Sequence, residues 1–299
     1  MEVSCRTAKG RFVFEPRPEL QELIWGVIGR GQRHFRIGIH AVVFMSNHYH
    51  MLLSVRDVLQ LSRFMAFVNG NLARVINRHF GESDPLWARR YSMSLVSSEP
   101  AAQRERLSYL LRQGVKEGLV KDPLDWKGPT SWKATLEGNC LQGKWEDRTR
   151  RCRDGKKEVN ATEDPSYVSW ETVELTSLPI WDGLSLEQQR REFRELLDSV
   201  RREEVEGESE EHGPLKVTSA GEKEKVPRSV APPPRRGGCP LVHAASRTVR
   251  KLYREAYRTF YAAYRRAADA LRDGVDGVPF PEGCFPPALP FCPAAAAPT

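Results

Sequence analysis

The fold of the first half of this 299-residue chain is decided by the stretch IGIHAVVFMSNHYHMLLSV, residues 37–55. Residues 37–45 form an apolar, β-branched run, which predicts a buried strand. Ser46 and Asn47 are typical turn residues, and residues 48–55 then predict a second strand. Together the two runs predict an antiparallel β-hairpin, around which the rest of the domain is arranged.

Helices and further strands are predicted on both sides of this β-hairpin. The predicted elements are strands at Val3–Cys5 and Phe12–Phe14, a helix from Pro18 ended by Gly29 and Gly31, a helix from Asp57 to about Phe80, a strand at Tyr91–Val96 and a helix from Pro100 to about Gly118. Strands and helices in this mixed order predict an α+β fold, with an antiparallel sheet and helices packed on one of its faces.

The second half of the chain has a weaker pattern, and we expect a mostly helical, partly disordered extension. The predicted segments are a domain at 1–138, a basic, irregular connector at 139–183, a helix at 184–204 opened by a capping box of Ser185 and Gln188, a disordered linker at 205–243, and a basic amphipathic helix with a Pro/Ala-rich tail at 244–299.

Charge is distributed unevenly along the chain. The whole sequence carries a net charge of +7, and residues 1–140 already contain 20 basic and 13 acidic side chains. A basic domain attracts polyanions, of which nucleic acid is the most common in cytoplasm, although the same charge also serves solubility. No apolar run is long enough to cross a bilayer, and we expect no membrane partner and no signal peptide. The six cysteines form no CxxC pair, so we expect a cytoplasmic protein without a disulfide framework.

The most specific local feature is the pair His48 and His50 on the second strand of the β-hairpin. Residues two apart on a strand point to the same face, so both imidazoles could bind one metal ion. Two ligands are too few for a stable site, so a third is needed from elsewhere. Two histidines that simply pack together are the alternative. A histidine-triad hydrolase is excluded, because Leu52 stands where that class needs a third histidine.

The helix that begins at Pro100 offers the missing groups. Tyr109 lies opposite its apolar side, and Gln113 follows one turn later on the same face. A phenol that ionises in a cationic setting is a nucleophile for phosphodiester cleavage, and an amide oxygen can ligate the ion that polarises the phosphate. A solvated surface tyrosine is the simpler alternative.

Four segments in order resemble a known family. Residues 45–53, with His48-Tyr49-His50, resemble the His-hydrophobic-His (HUH) box of single-tyrosine transposases of the insertion-sequence-200-like group, and are most similar to the REP-associated tyrosine transposases. The other three segments are residues 84–91 with Trp87-Ala88-Arg89-Arg90-Tyr91, Ser108-Tyr109-Leu110, and residues 115–132 with Gly118-Leu119-Val120 and Ser131-Trp132. The resemblance covers about residues 1–135.

The resemblance implies a fold, a reaction and a set of site residues. The fold would be a ferredoxin-like sheet over residues 1–138, and the partner would be single-stranded DNA with a hairpin. His48, His50 and Gln113 would bind Mg²⁺ or Mn²⁺, and Tyr109 would form a 5′-phosphotyrosine with the DNA. Cleavage and rejoining would need no ATP, and the chain has no Walker-type loop. We expect a cytoplasmic enzyme that is nucleoid-associated when bound to DNA, and a homodimer is one assembly that the family allows.

Five basic residues are candidates for contacts with the DNA backbone. They are Arg89, Arg90, Arg106, Arg112 and Lys116. The chain departs from many relatives by having Gln113-Gly114 where they have Asn-Pro, although glutamine keeps the amide oxygen.

Two other functions stay open at this point. A domesticated module could grip nucleic-acid hairpins without cutting, and an HUH replication initiator or relaxase would usually bring a helicase motif or a second tyrosine. For the helix predicted within 244–299, interleaved arginines and tyrosines suit single-stranded DNA. The alternative for that helix is ordinary packing against the core or a partner protein.

Overall fold

A computed structural model describes residues 1–155, 165–207 and 241–287. The linker predicted at 205–243 lies largely outside these residues, and so does the end of the segment predicted at 244–299.

In the first half, four strands form the sheet. They are β1 (Glu2–Arg6), β2 (Gly38–Met45), β3 (His48–Ser54) and β4 (Ser92–Val96). Their order is β2-β3-β1-β4, and neighbouring strands are antiparallel.

The predicted β-hairpin is confirmed. Met45 pairs with His48 across the two-residue turn, and a register shift follows between Ile39 and Ala41. Both faces of β2 are apolar, because its alternate residues belong to two different cores. Val42 and Phe44 face the first core, whereas Ala41, Val43 and Met45 face the second. A sheet of this composition has to be covered on both faces.

The helices accordingly lie on both faces of the sheet, and the prediction that they occupy one face is wrong. The first face is covered by α1 (Pro18–Phe35) and α2 (Val58–Phe80), whose first turn is capped by Asp57. The second face is covered by α3 (Pro100–Leu111), the short helices α4 (Gln113–Lys116) and α5 (Trp132–Glu137), and further residues from the second half of the chain.

Helix α1 continues through Gly29 and Gly31, which were predicted to end it. It ends instead at Phe35, where Arg36 adopts the left-handed conformation. Gly26 and Gly29 of α1 allow a close approach to a two-stranded sheet made of β5 (Leu141–Glu146) and β6 (Val168–Val173). A Cβ built on Gly26 would lie 1.8 Å from the carbonyl oxygen of Lys144, and one built on Gly29 would lie 2.9 Å from that of Thr172. Contact with neighbouring backbone therefore explains these two glycines, whereas Gly31 lies against side chains of α2.

Three further sequence predictions need correction. Residues 12–14 form no strand, and Phe14 instead buries its ring in the first core and donates its N–H to the Ser46 carbonyl. The helix predicted to reach Gly118 ends at Leu111, and Arg112 separates it from α4. The connector predicted to be irregular at 139–183 contains β5, β6 and the short helix α6 (Arg148–Arg153).

The C-terminal half is built onto the sheet. Helix α7 (Leu186–Gly207) packs Phe193 and Leu197 into the second core, and the predicted capping box of Ser185 and Gln188 is present. Strand β7 (Leu241–His243) lies within the predicted linker and pairs in parallel with β4, so it extends the sheet. Helix α8 (Arg247–Arg272) follows, within the segment 244–299 for which a helix was predicted. Among the described residues, no helix is both long and apolar enough to cross a bilayer.

The close contact between α1 and β5 predicts the effect of adding one methyl group. Gly26→Ala places its Cβ inside the van der Waals radius of backbone atoms, so we expect the free energy of unfolding to fall by at least about 1–3 kcal/mol. Urea denaturation measures this change. Gly70→Ala in α2 is the control, because nothing lies within 4 Å of the added Cβ, and it should be neutral or stabilising. Equal stability of both variants would contradict the close contact.

Candidate active site

Two histidines of β3 form the floor of a polar site on the second face of the sheet. The ring centroids of His48 and His50 lie 5.2 Å apart, with the ring planes at 85°. His50 is buried, and His48 is half-buried. The two-residue turn fixes the register of β3, and the period of the strand then places both rings on the face that carries α3.

Each histidine is oriented through its Nδ1 atom. The Nδ1 of His48 lies 2.7 Å from Oδ1 of Asn47, and the Nδ1 of His50 lies 2.7 Å from Oε1 of Glu2. An amide oxygen and a carboxylate oxygen both accept hydrogen bonds, so each Nδ1 carries the proton. In the tautomer that these contacts select, the Nε2 lone pair is left for a ligand. A carboxylate that orients a histidine in this way is typical of metal sites.

The local environment keeps His48 neutral. Burial, followed by the nearby His50, lowers the pKa of His48 to about 4, and the side-chain oxygen of Gln113, which can accept from the protonated ring, opposes this only in part. A histidine with such a low pKa is uncharged near neutral pH. Its Nε2 atom is then available as a metal ligand without first losing a proton.

The break between α3 and α4 brings Tyr109 and Gln113 to the histidines. The ring of Tyr109 lies edge-on to that of His50, with centroids 5.7 Å apart. The amide nitrogen of Gln113 donates to the carbonyl of Tyr109 at 3.0 Å, so the amide oxygen points away from that carbonyl. Oε1 of Gln113 lies 3.5 Å from Nε2 of His48.

Two cations lie against the ring of Tyr109. The guanidinium of Arg106 is 4.9 Å from the ring centroid, and Nζ of Lys116 is 5.6 Å from it. Arg106 also pairs with Oε2 of Glu2 at 3.0 Å, so one carboxylate joins the cation to His50. The tyrosine therefore lies in an electropositive setting next to the two histidines.

A cavity of about 260 Å³ opens beside these groups. Its polar wall comes from strands β1, β3 and β4 and from α3, and two residues of β7 complete it. The lining residues are Glu2, Ser4, His50, Ser92, Ser94, Arg106, Tyr109, Leu241 and Val242. The cavity is thus shared between the first half of the chain and a strand near its end.

The other basic candidates lie elsewhere. Arg112 pairs with Glu203 of α7 at 2.6 Å, and its charge is used to hold that helix. Arg89 and Arg90 are exposed on the segment before β4, where Arg90 lies over the ring of Tyr91. Of the five predicted basic residues, the structure brings Arg106 and Lys116 to the tyrosine.

Sequence reasoning missed Glu2 and Asn47, which orient the two histidines. A usable signal was present in β1, where Glu2, Ser4 and Arg6 alternate with the apolar Val3 and Cys5. That alternation indicates a strand with one polar face, and β1 lies next to β3 in the sheet. Nothing in the sequence indicated that β7 contributes to the cavity, since Leu241 and Val242 are ordinary apolar residues.

The donor atoms fit a divalent ion when Gln113 is included. No group of three His, Cys, Asp or Glu side chains able to hold a metal exists in the described part of the chain. Two imidazole nitrogens and one amide oxygen make a mixed set, which suits Mn²⁺ better than the oxygen-preferring Mg²⁺. The metal roles of His48, His50 and Gln113 stay predictions.

The lowered pKa of His48 predicts how stability changes with pH. The unfolded chain protonates this histidine near pH 6.5, whereas the folded chain resists protonation until about pH 4. Stability is therefore fully present above pH 6.5 and is lost as the pH falls toward 4. We expect wild type to lose on the order of 1 kcal/mol between pH 7 and pH 5 from this residue alone.

Denaturant titrations in chelator at both pH values measure this loss, and His48→Gln should abolish it. His79→Gln, on the exposed side of α2, should keep the pH dependence of wild type. An unchanged pH dependence in His48→Gln would contradict the environment described for His48.

Three comparisons place the chain among known proteins. Residues 6–108 match the family model described as transposase IS200-like, and this match ends one residue before Tyr109. No curated protein matches the chain. The chain is similar to a solved structure of a REP-associated tyrosine transposase bound to a REP hairpin, with 14% identity, 55% of this chain and 84% of that chain covered, and a TM-score of 0.35. The matched residues 6–108 carry both histidines.

Proposed function

We propose that this protein cleaves and rejoins single-stranded DNA at hairpin sequences, through a covalent 5′-phosphotyrosine on Tyr109. One observation carries the proposal: His48, His50, Gln113 and Tyr109 converge on one face of the sheet, with Arg106 and Lys116 at the tyrosine. The strand order β2-β3-β1-β4, with α1 and α2 on one face, supports a ferredoxin-like HUH domain as the scaffold.

Tyr109 is the proposed nucleophile. Its phenol oxygen bonds to the phosphorus and gives up its proton, while the bond from phosphorus to the 3′ oxygen breaks. The 3′ oxygen takes up a proton and leaves as a free hydroxyl group. The reverse attack by a 3′-hydroxyl rejoins the strand and releases the tyrosine. The phosphotyrosine keeps the energy of the broken bond, so no nucleotide cofactor is needed.

The cations near Tyr109 have a direct role in this proposal. Arg106 and Lys116 lie against the ring and offset the negative charge of a phenolate. The same two groups can hold a phosphate oxygen of the bound strand in front of the tyrosine. The hydroxyl groups of Ser4 and Ser92 line the cavity, where they can donate to the DNA backbone, whereas that of Ser94 donates to the carbonyl of Leu241.

His48, His50 and Gln113 are the proposed ligands of a divalent ion, either Mn²⁺ or Mg²⁺. Such an ion supplies Lewis-acid polarisation of the scissile phosphate. Glu2 and Asn47 keep each Nδ1 protonated, so that each Nε2 stays directed to the ion. A homodimer, which the sequence resemblance allows, stays a prediction.

Covalent trapping tests the proposed function. Labelled single-stranded hairpin oligonucleotides from the genomic flanks are incubated with the protein and Mn²⁺ or Mg²⁺, and the products are separated on a denaturing gel. Wild type should form an adduct that depends on the metal. Tyr109→Phe removes the nucleophile and should form none, and the His48→Ala, His50→Ala double variant should lose at least about a hundredfold in rate.

The chain offers matched controls for both changes. Tyr167→Phe removes a hydroxyl group that donates to Asp154, and His79→Ala removes an exposed imidazole, so both should form the adduct at the rate of wild type. Binding of the hairpin without an adduct under either metal would contradict strand cleavage. It would instead favour the hairpin-binding module that does not cut.

The hydrogen bond between Glu2 and His50 generates a separate prediction. Glu2→Gln keeps the shape of the side chain but removes the carboxylate that orients His50, so the affinity for Mn²⁺ should fall by about 10–100-fold. Titration calorimetry with Mn²⁺ measures the affinity without any DNA. Glu105→Gln is the control, because its carboxylate pairs with His243. An equal affinity in Glu2→Gln and wild type would rule out the positioning role of Glu2.

A further inference from the structure

Helix α8 is the longest helix in the described chain, and its surroundings cover little of it. It has 26 residues, of which only Ala267 and Ala268 are buried. The apolar side chain of Leu252 is 60% exposed and Tyr261 is 46% exposed. Packing against the core, the alternative considered from the sequence, therefore accounts for only a small part of the helix surface.

The beginning of α8 is fixed next to the candidate active site. β7 pairs with β4 in the register Ser94 with Leu241, and Leu241 lines the cavity that contains Tyr109. After β7, the carboxylate of Glu99 accepts the N–H groups of Ala245 and Ser246, both at 3.0 Å. Ser246 then caps the first turn of α8. A strand that leaves the cavity on this side meets the start of α8.

The charge of α8 suits a polyanion. Residues 247–272 contain eight basic and two acidic side chains. At 100° per residue, Arg247, Arg254, Arg258 and Arg265 fall within an arc of about 40°. Within the described residues none of these four has a carboxylate partner, so the row of guanidinium groups is not neutralised by the protein.

A row of tyrosines runs beside the arginine row. Tyr253, Tyr257 and Tyr264 fall within another arc of about 40°, roughly a quarter turn away from the arginines. The rings of Tyr257 and Tyr261 are stacked, with centroids 5.9 Å apart and planes at 25°. Parallel rows of cations and aromatic rings match the two repeating parts of a single strand, its phosphates and its bases.

We propose that α8 binds the single-stranded DNA that leaves the active site, with phosphates on the arginine row and bases on the tyrosine row. This inference rests on the proposed function, because it takes the DNA to lie in the cavity beside Tyr109. A helix of this length is about 39 Å long, so it can follow several nucleotides. The C-terminal extension then holds the DNA strand and takes no part in the cleavage chemistry.

A basic amphipathic helix could also bind an anionic membrane, but the position of α8 favours DNA. Membrane binding requires the apolar side of the helix to be open. Here only the C-terminal part of that side is covered, where Tyr264 meets the ring of Phe280 with centroids 5.7 Å apart and Ala267 and Ala268 are buried, so DNA is favoured by the start of α8 beside the cavity. Vesicles of anionic phospholipid are therefore one arm of the test.

Fluorescence anisotropy with a labelled oligodeoxythymidine measures binding to single strands without dependence on a hairpin sequence. The full chain carrying Tyr109→Phe is used, so that no cleavage interferes. The combined changes Arg254→Gln, Arg258→Gln and Arg265→Gln should weaken binding at least about tenfold, and should make the slope of log affinity against log salt shallower by about 2. Tyr253→Leu with Tyr257→Leu should weaken binding at least about fivefold.

The charge-matched control combines Arg63→Gln, Arg191→Gln and Arg194→Gln, three exposed arginines outside α8. It should bind as the parent protein does. Equal losses in both triple variants would overturn the proposal, since net charge alone would then explain them. The proposal would also be overturned if the α8 triple variant lost more affinity for duplex DNA than for single strands. The same holds if it lost binding to anionic vesicles while its binding to DNA stayed unchanged.

The adduct assay separates this proposal from the proposed function. If the α8 triple variant weakens oligonucleotide binding but wild type forms no adduct, α8 binds DNA and the strand-transfer function is wrong. If wild type forms the adduct but the α8 triple variant binds as its parent does, the function stands and the role of α8 is wrong.

Discussion

The pairing of β2 with β3 is the constraint on which the site depends. A turn of only two residues sets Met45 opposite His48, and the following pairs up to Ala41 with Leu52 keep that register. A slip by one residue would turn His48 and His50 to the opposite face, into the core beneath α1 and α2. The apolar residues on both faces resist such a slip, because it would exchange two closely packed cores. Packing therefore determines the position of the polar residues.

The second requirement is the end of α3. A continuous helix would carry Tyr109 and Gln113 on one face, but the break at Arg112 lets the Gln113 amide hold the Tyr109 carbonyl with one end and face His48 with the other. Arg112 itself is tied to Glu203 on α7. The geometry next to the tyrosine is thus supported from the C-terminal half, outside the residues that match the family.

Local patterns predicted the parts of the structure that local physics determines. The β-hairpin, the cap at Asp57 and the capping box at Ser185 all follow from short-range chemistry, and the structure contains each of them. The glycines of α1 were misread because a glycine that ends a helix and one that admits a neighbouring backbone look alike in sequence. What distinguishes Gly29 is the backbone of Thr172, which is more than a hundred residues away. Glu2 was missed for the same reason, since its partners His50 and Arg106 become neighbours only when the sheet forms.

The wall that β7 adds to the cavity has a consequence for the timing of synthesis. Ribosomes make the histidines and the tyrosine first, and the N-terminal part of a chain folds first. Leu241 and Val242 emerge more than a hundred residues after Tyr109, so the cavity stays open on that side until β7 has been made. A nascent or prematurely ended chain would therefore hold the reactive groups without the enclosure around them. In this protein, the enclosure of the site waits for β7, although the reactive groups are made much earlier.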